Sequence, residues 1–516
     1  MPIPIIDLFA GPGGLGEGFS SLIDENGEPA FEIKLSIEKD EWAHKTLTWR
    51  AFYRQFKNAG LNPPEEYYAA YRESNLKKRE EIIEKALTKY PEGVKAKKEA
   101  QLIELGSKEF PPEFVDQLIR ERLGDLENPW VLIGGPPCQA YSNAGRSRVG
   151  GINPEDHRVY LYREYLRIID VHRPTVFVME NVKGLLSAKV NGEKVFDWIK
   201  KDLELEGAYK IYSFVRNVEE DSDFLIKAEQ YGVPQKRHRV ILLGIRFDLE
   251  HPNLFLSTSE KVSLKIVIDN LPPVRSGLNR AFVRYKPFEF TKSGRPKREY
   301  IKVKDSEINW TQLIISQIQT IRNWGELSMK GIELGPGVFE WGKGKEFIPG
   351  EYGVVINESM NNWYKDVNLG GIANHESRSH LTQDLMRYLF ASLYIQDHET
   401  FPRMEDYARH HQTLVPDHSS ALSGKFTDRF RVQLPDIPAT TVTSHISKDG
   451  HYFIHYDPRQ CRSLTVREAA RIQTFPDNYI FRGSRTQQFH QVGNAVPPYL
   501  AKKLSEIVLQ IFNHNV

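Results

Sequence analysis

The chain has 516 residues, room for two or three domains that each bury a core, with 40% apolar and 27% charged residues and two cysteines, Cys138 and Cys461. The formal charge of +1 is too small to argue for a nucleic-acid partner, so any such partner must be sought in local runs of Lys and Arg. The cysteines exclude a C-x-x-C zinc or redox motif, no run approaches the ~18 apolar residues of a membrane span, and the first seven residues read as a strand and not as a signal peptide, so a soluble, unexported protein is expected.

Residues 3–9 predict a strand that ends in Gly11-Pro12-Gly13-Gly14-Leu15-Gly16 and continues as a helix toward Leu22. Residues 31–38 predict a second strand, followed by a helix through Trp42, Leu47 and Phe52, which suggests alternating β/α order and a largely parallel sheet. From about 58 to 126 charged residues dominate, with Leu76, Ile83 and Leu87 at helical spacing, and an inserted helical segment is expected. The buried-strand runs 130–133 and 175–179, with a helix over 160–171 between them, complete a βαβ unit. A hairpin-like pair over 209–215 and 239–245 closes this domain before Leu271-Pro272-Pro273. About 180 irregular residues follow, then helices over 466–473 and 498–512. Residues 271–304 hold ten Lys and Arg against Glu289 and Glu299, with Phe282, Tyr285, Phe288, Phe290 and Tyr300 among them.

Four strand ends carry chemistry. Glycines after the first strand permit positive φ and close approach of a ligand to the free N–H groups of a helix start. Glu38, ending the second strand, is placed to accept hydrogen bonds from ribose hydroxyls, so an adenosine-bearing cofactor is implied. Gly134-Gly135-Pro136-Pro137-Cys138-Gln139 holds a thiol in a proline-braced loop at a third strand end. That is a poor site for a core cysteine and a good one for a nucleophile activated by Arg146, Arg148 or Arg237. Met179-Glu180-Asn181-Val182 then brings a carboxyl group to the neighbouring strand end, and thiol with carboxyl suggests nucleophile plus acid.

With Gln235-Lys236-Arg237-His238-Arg239, the run Leu464 to Arg471 (L-T-V-R-E-A-A-R) and Gly493-Asn494-Ala495-Val496-Pro497-Pro498, these blocks stand in the order in which they occur in DNA cytosine-5 methyltransferases of the bacterial restriction-modification type, and the chain resembles that family throughout. The resemblance implies an α/β fold of the class I S-adenosylmethionine-dependent methyltransferase type: a Rossmann-like, mostly parallel mixed sheet with helices on both faces, plus a smaller irregular target-recognition domain. The catalytic domain would take residues 1–265 and 480–516, and the target-recognition domain 266–479 with the L-T-V-R-E segment.

S-adenosyl-L-methionine, leaving as S-adenosyl-L-homocysteine, would lie against Asp7, Phe9, Ala10, Gly11, Gly13, Gly14, Glu38, Lys39, Trp42 and Pro137, closed by Asn494 and Ala495. Cys138 would add to C6 of an everted cytosine, Glu180 would contact N3 and Arg239 would hold O2, with Arg237 beside them. No metal is implied. Ser107 or Asp116 would stand where the family has an acidic residue after the third strand, and Pro438-Ala439-Thr440-Thr441-Val442 resembles a threonine segment near the end of the recognition domain. The implied partners are double-stranded DNA and a restriction endonuclease acting on the same site without a stable complex. The protein would be a monomer, cytoplasmic and nucleoid-associated. Two alternatives stay open here: a tRNA cytosine-5 methyltransferase, and a DNA-binding regulator without activity.

Overall fold

The computed structural model describes residues 1–124, 128–137, 157–190, 192–291, 294, 296–329, 332, 341–352, 355, 357–416 and 429–515. Its main sheet is built from β1 (Ile3–Leu8), β2 (Phe31–Glu38), β3 (Ala100–Leu102), β4 (Val131–Gly134), β5 (Val176–Val182), β6 (Tyr209–Ser213), β7 (Leu225–Lys227) and, after the two-residue β8 (Gln235–Lys236), β9 (His238–Arg246). The order is β3-β2-β1-β4-β5-β9-β6, with β7 also on β9. The first five strands are parallel, and β9 runs antiparallel to its three neighbours.

Central strands of such a sheet are apolar on both faces because helices cover both. Ile6, Leu132, Phe177 and Met179 face one core, and Ile5, Val131, Ile133 and Val178 face the other. The first core is closed by α6 (Pro112–Leu123), α7 (His157–His172) and α8 (Val195–Glu204), through Ile119, Tyr165 and Phe196. The second is closed by α1 (Gly14–Ser20) and by the last helix of the chain, α13 (Pro498–Asn515), through Phe19, Leu504 and Val508.

The contact between α1 and α13 explains part of the glycine spacing. A Cβ on Gly14 would lie 2.2 Å from the Val496 carbonyl oxygen, and one on Gly18 would lie 2.4 Å from the Pro498 carbonyl oxygen and 2.5 Å from the Lys502 nitrogen. Side chains there would push the chain's end off its beginning.

The segment expected as a helical insertion does contain helices: the end of α2 (Glu41–Asn58), then α3 (Glu65–Arg72), α4 (Leu76–Lys89) and α5 (Pro91–Glu99). They bury an aromatic core of Trp49, Phe52, Phe56, Tyr67 and Tyr71. The same segment also carries β3 and α6, so β/α order returns at Ala100, before the expected end of the insertion at 126. β3 has only three residues, too short for its periodicity to show in sequence.

The second region is more regular than its composition suggests. It includes the ribbon β10 (Arg280–Phe290) and β11 (Pro296–Lys302), α9 (Glu307–Trp324), the pair β12 (Gly344–Pro349) and β13 (Gly371–Glu376), α10 (Thr382–His398) and β14 (Ala439–Thr440). Around Trp310, Ile314, Leu389 and Phe390 the two long helices share one core. A further core joins Leu264, Ile268 and Met360 to Leu464, Phe475, Tyr479, Phe489 and Val492, so the boundary expected near 480 falls inside packed structure.

The L-T-V-R-E run is architectural. It forms α11 (Val466–Ile472), opened by a capping box in which Thr465 and Glu468 satisfy each other's backbone N–H groups. Buried charges must be paired or hydrogen-bonded. Arg462 forms a two-pronged pair with Glu468 at 2.6 Å, Arg471 pairs with Asp477 at 2.6 Å, and Arg467 donates to the carbonyls of Ala373, Pro476 and Tyr479. Among the described residues no helix is long and apolar enough to cross a membrane.

Gly18→Val is therefore expected to cost about 1–3 kcal/mol in urea unfolding by overpacking. Gly342→Val, at an exposed glycine whose nearest non-neighbour atom is 4.0 Å from the added carbon, is expected to stay within about 0.5 kcal/mol of wild type. Equal stabilities would remove the claim that Gly18 is dictated by α13.

Candidate functional site

In an open parallel sheet, ligands bind beyond the carboxyl ends of the strands where the strand order reverses, here between β1 and β4. Two groups of residues meet along that edge. The first follows β1 and β2. Phe9 has φ +57°, Gly11 +57° and Gly13 +96°, so the chain turns sharply into α1. A Cβ on Gly11 would meet nothing within 4 Å, whereas one on Gly13 would meet Leu47 at 2.8 Å and the Tyr479 hydroxyl at 3.0 Å. Gly11 thus faces open space and Gly13 faces structure. Ala10 donates its N–H to the Ile37 carbonyl at 3.1 Å and accepts from Gly13 at 2.9 Å.

Glu38 holds this turn. Its carboxylate accepts backbone N–H groups of Gly11 at 2.7 Å, Lys39 at 2.9 Å and Asp40 at 2.7 Å. Burial nevertheless lifts its carboxyl above the usual carboxylate range, with those N–H groups opposing. Asp40 then caps α2 by accepting from Trp42 and Ala43, which sets the Trp42 ring beside Gly483: a Cβ there would lie 2.9 Å from the indole. Asn494 is exposed at the end of α12 (Arg485–Asn494), next to buried Ala495, and the contact of Val496 with Gly14 brings this segment to the glycine turn.

Asp7 lies beneath the turn and is 1% exposed, with no hydrogen-bond partner for either carboxyl oxygen. Burial pushes its carboxyl up to about 8, with Arg54 opposing and Glu38 and Glu99 adding.

The second group follows β4 and β5. Gly134 pairs with Met179 across the parallel strands, and the loop Gly135-Pro136-Pro137 leaves directly beside Glu180. A Cβ on Gly135 would lie 2.9 Å from Glu180 Oε2, and the Asn181 amide donates to the Pro136 carbonyl at 3.4 Å. Because β9 is antiparallel, its start shares the edge with the end of β5, and Arg239 stands opposite Val182. Its guanidinium reaches Glu180 at 2.7 Å, both side chains half-buried. Cys138, Gln139, Arg146 and Arg148 lie outside the described residues.

Arg237 stands apart from this pair in its contacts. It is 2% exposed and donates to the carbonyls of Val442 at 2.8 Å and Gly493 at 3.3 Å. Burial and the charge of Arg239 weigh against its charged form, although a guanidinium keeps its proton in proteins. Its contacts tie β9 to the second region. The same tie is made by β8, which pairs in parallel with β14, while the Gln235 amide oxygen accepts from Val442 at 3.0 Å and the Thr441 hydroxyl donates to the Lys236 carbonyl at 2.5 Å.

The two residues expected as alternatives at the position after β3 both make contacts within the protein. Asp116 is committed to Arg167 and His172 at 2.8 Å, joining α6 to α7, and Ser107 accepts the Phe110 N–H at 3.3 Å. Glu104 instead stands just beyond β3 and pairs with Lys39 at 3.3 Å. The alternation of buried Ile103 and Leu105 around it was the available sequence signal.

The sheet order, the glycine turn and the carboxylate beyond β2 define a methyltransferase fold. Its likeness to the crystal structure of a prophage-encoded protein from E. coli, described as a DNA modification methyltransferase, has a TM-score of 0.50 at 18% identity over 99% of both chains. Residues 107–510 match the family of C-5 cytosine-specific DNA methylases. Among relatives, the type II methyltransferase M.Bpa9945I of Bacillus paralicheniformis is 34% identical over 99% of both chains. M.AgeI of Thalassovita gelatinovora is 28% identical over 76% of this chain and 85% of its own. The DNA (cytosine-5-)-methyltransferase M.ApeKI of Aeropyrum pernix is 27% identical over 74% and 81%. The chain belongs to the C-5 cytosine-specific DNA methylase family, enzymes that methylate cytosine in DNA.

The buried Asp7 has a testable consequence. Its carboxyl ionises near 3.8 when unfolded and near 8 when folded, so between those values folding takes up a proton and its stability contribution falls as pH rises. Relative to Asp7→Asn, wild type is expected to lose more than about 1 kcal/mol of unfolding free energy from pH 5 to pH 8 in urea titrations. A pH-independent difference would mean that Asp7 does not titrate there.

Proposed function

We propose that the protein transfers a methyl group from S-adenosyl-L-methionine to C5 of one cytosine in a specific double-stranded DNA sequence, as the modification enzyme of a restriction-modification pair. The observation that carries this reading is the Glu180–Arg239 pair, 2.7 Å apart and set against Gly135, three residues before Cys138.

The residues beyond β1 and β2 fit an adenosyl cofactor. Gly11 opens to free space, Glu38 offers a carboxylate to ribose hydroxyls, and Phe9 and Trp42 offer rings for an adenine. Ala10, Gly13, Gly14, Lys39 and Pro137 would form the wall with buried Asp7 beneath it, Asn494 and Ala495 the closure, and Glu104 would face the adenine amino group. When bound, S-adenosyl-L-methionine supplies an electrophilic methyl group and leaves as S-adenosyl-L-homocysteine.

The rest is the work of this chain on cytosine. C5 is a poor nucleophile until the Cys138 thiolate bonds to C6 and the ring's electron pair moves toward C5, with charge spread onto N3 and O2. Glu180 would hold the proton at N3 and Arg239 would hold O2, stabilising charge as it develops. Arg237, which the notional active site was expected to include, would act by fixing β9 against the second region. Once C5 carries the methyl group, its proton passes to water, the C–H electrons re-form the C5=C6 bond, and the C6–sulfur bond breaks with its electrons returning to the thiolate. None of this can occur inside a base stack, so the cytosine must be everted at a cost of a few kcal/mol. A restriction endonuclease that cuts the same sequence is the functional partner this reading implies, with the protein acting as a monomer.

Bisulfite sequencing of DNA from cells expressing the protein tests the proposal. Protected cytosines in one sequence context are expected with wild type and none with Cys138→Ser, a loss of at least ~1,000-fold if the thiolate is the nucleophile. Protection that persists in Cys138→Ser would overturn the assignment.

A further inference from the structure

The proposed chemistry leaves a buried polar chain unused. Glu17, Arg50, Arg54, Glu99 and Asn478 are each no more than 6% exposed, and they come from four segments: α1, α2, the end of α5 and the stretch after α11. Arg50 stands at the centre. Its guanidinium lies against the rings of Tyr53 and Tyr479, 4.1 and 4.9 Å from their centroids, and its fork grips both carboxylate oxygens of Glu17, one of them at 2.8 Å. Its Nη1 also donates to the Asn478 side-chain oxygen at 2.9 Å and to the Tyr67 hydroxyl, on α3, at 3.3 Å. Asn478 in turn donates to Asp366 of the second region at 2.9 Å, and the Tyr68 hydroxyl donates to the same carboxylate at 3.3 Å. One end of the chain is therefore the glycine turn, where Glu17 donates its N–H to the Gly13 carbonyl at 2.8 Å and the Tyr479 hydroxyl donates to the Pro12 carbonyl. The helix that carries Arg50 also carries Trp42 at its capped start. The other end, Asp366, lies in the region that the family resemblance gives to target recognition.

Stability alone does not call for such a chain. Two buried charges lose hydration that their attraction does little more than repay, and well-packed apolar side chains of the same volume hold a fold as well. A planar fork adds geometry. Glu17 and Asn478 are both satisfied only when α1, α2 and the stretch after α11 keep one arrangement, and a displacement of any of them strands buried donors, so the chain is either whole or broken. We propose that Arg50 is a positioning residue that makes cofactor binding and DNA binding depend on each other. With a cofactor seated against the glycine turn and Trp42, α1 and α2 are held in place, and the Arg50–Asn478–Asp366 chain holds the second region in the orientation that accepts the duplex. DNA must then tighten the cofactor by the same factor, because a coupling free energy belongs to both sites. The insertion α3–α5 acquires a task in this scheme, since its Tyr67 and Tyr68 brace the chain at Arg50 and at Asp366. Coupling of this kind rests on the DNA-methylation reading and adds the route by which one substrate is felt at the site of the other.

The test uses the full-length protein. The Kd of S-adenosyl-L-homocysteine is measured by calorimetry with and without the mapped target duplex, and the Kd of that duplex by fluorescence anisotropy with and without S-adenosyl-L-homocysteine. Methyl incorporation into unmethylated phage DNA is measured in parallel. In wild type each ligand is expected to tighten the other by the same factor, at least about 5-fold. Asp366→Ala removes the half-buried outer end of the chain and leaves the Arg50–Glu17 pair in place. For this variant the factor is expected to fall to about 1, with affinity for either ligand alone within about 3-fold of wild type. Arg50→Lys keeps a charge beside Glu17 without the fork and is expected to lose the coupling as well, and the double variant loses nothing further because the two residues act in series. Arg167→Lys, in the ion pair with Asp116 that joins α6 to α7, is the structural control and is expected to keep the wild-type factor. A wild-type factor near 1, coupling that survives either variant, equal loss in Arg167→Lys, or a collapse of affinity for a single ligand in Asp366→Ala overturns the role of Arg50 and leaves DNA methylation standing. Wild type that does not methylate phage DNA removes the DNA-methylation reading and the coupling with it.

Discussion

Glu180 governs its surroundings both by charge and by volume. Its carboxylate takes the space where a side chain at 135 would begin, so the loop after β4 must start with glycine, and it fixes the Arg239 guanidinium at 2.7 Å. Two strand ends and the start of an antiparallel third are thereby set in one register. The proline pair at 136–137 then leaves the chain few directions in which to carry Cys138, because each proline fixes its own φ and restricts the residue before it. On the proposed reading, the carboxylate and the guanidinium beside this loop would meet the electrostatic demands of a reaction that builds charge on two ring heteroatoms.

The same edge is completed from the far end of the chain. Val496 closes on Gly14, Tyr479 donates its hydroxyl to the Pro12 carbonyl, and Arg237 holds the carbonyls of Val442 and Gly493. These contacts make the glycine turn, the second region and the last helices interdependent. The buried arginines of the L-T-V-R-E helix serve this closure: each is satisfied by a carboxylate or by carbonyls from segments about a hundred or more residues away as well as nearby. Cys461, the second cysteine, belongs to the same architecture, for it is buried and donates its thiol to the Leu385 carbonyl at 3.2 Å. Burial pushes that thiol far above the range in which a thiolate forms.

Much of the sheet was legible because β1, β4 and β5 carry apolar runs buried on both faces, while β2 alternates apolar with polar residues and ends in an acid. The strand His238–Arg246 was legible in its buried apolar run, and it pairs antiparallel with Tyr209–Ser213 as the expected hairpin-like pair. β3 was not, since three residues show no period, and without it Glu104 could not be placed at a strand end. The second region read as irregular because its order comes from contacts distant in sequence. The short β14 pairs with β8 alone, whereas α11 was legible as a helix over 466–473 and only the distant carbonyls that receive its arginines were not. Arg237 and Arg239 differ by two positions, and nothing in Gln-Lys-Arg-His-Arg says which of them reaches Glu180; strand register decides it.

The most direct measurement is a covalent trap. A duplex carrying 5-fluorocytosine at the mapped target base is incubated with the protein and S-adenosyl-L-methionine, digested and analysed by peptide mass spectrometry. Since fluorine cannot leave as the C5 proton does, the account requires a stable adduct on Cys138. Full methylation of the unsubstituted duplex with no adduct, or an adduct at any other residue, would contradict it.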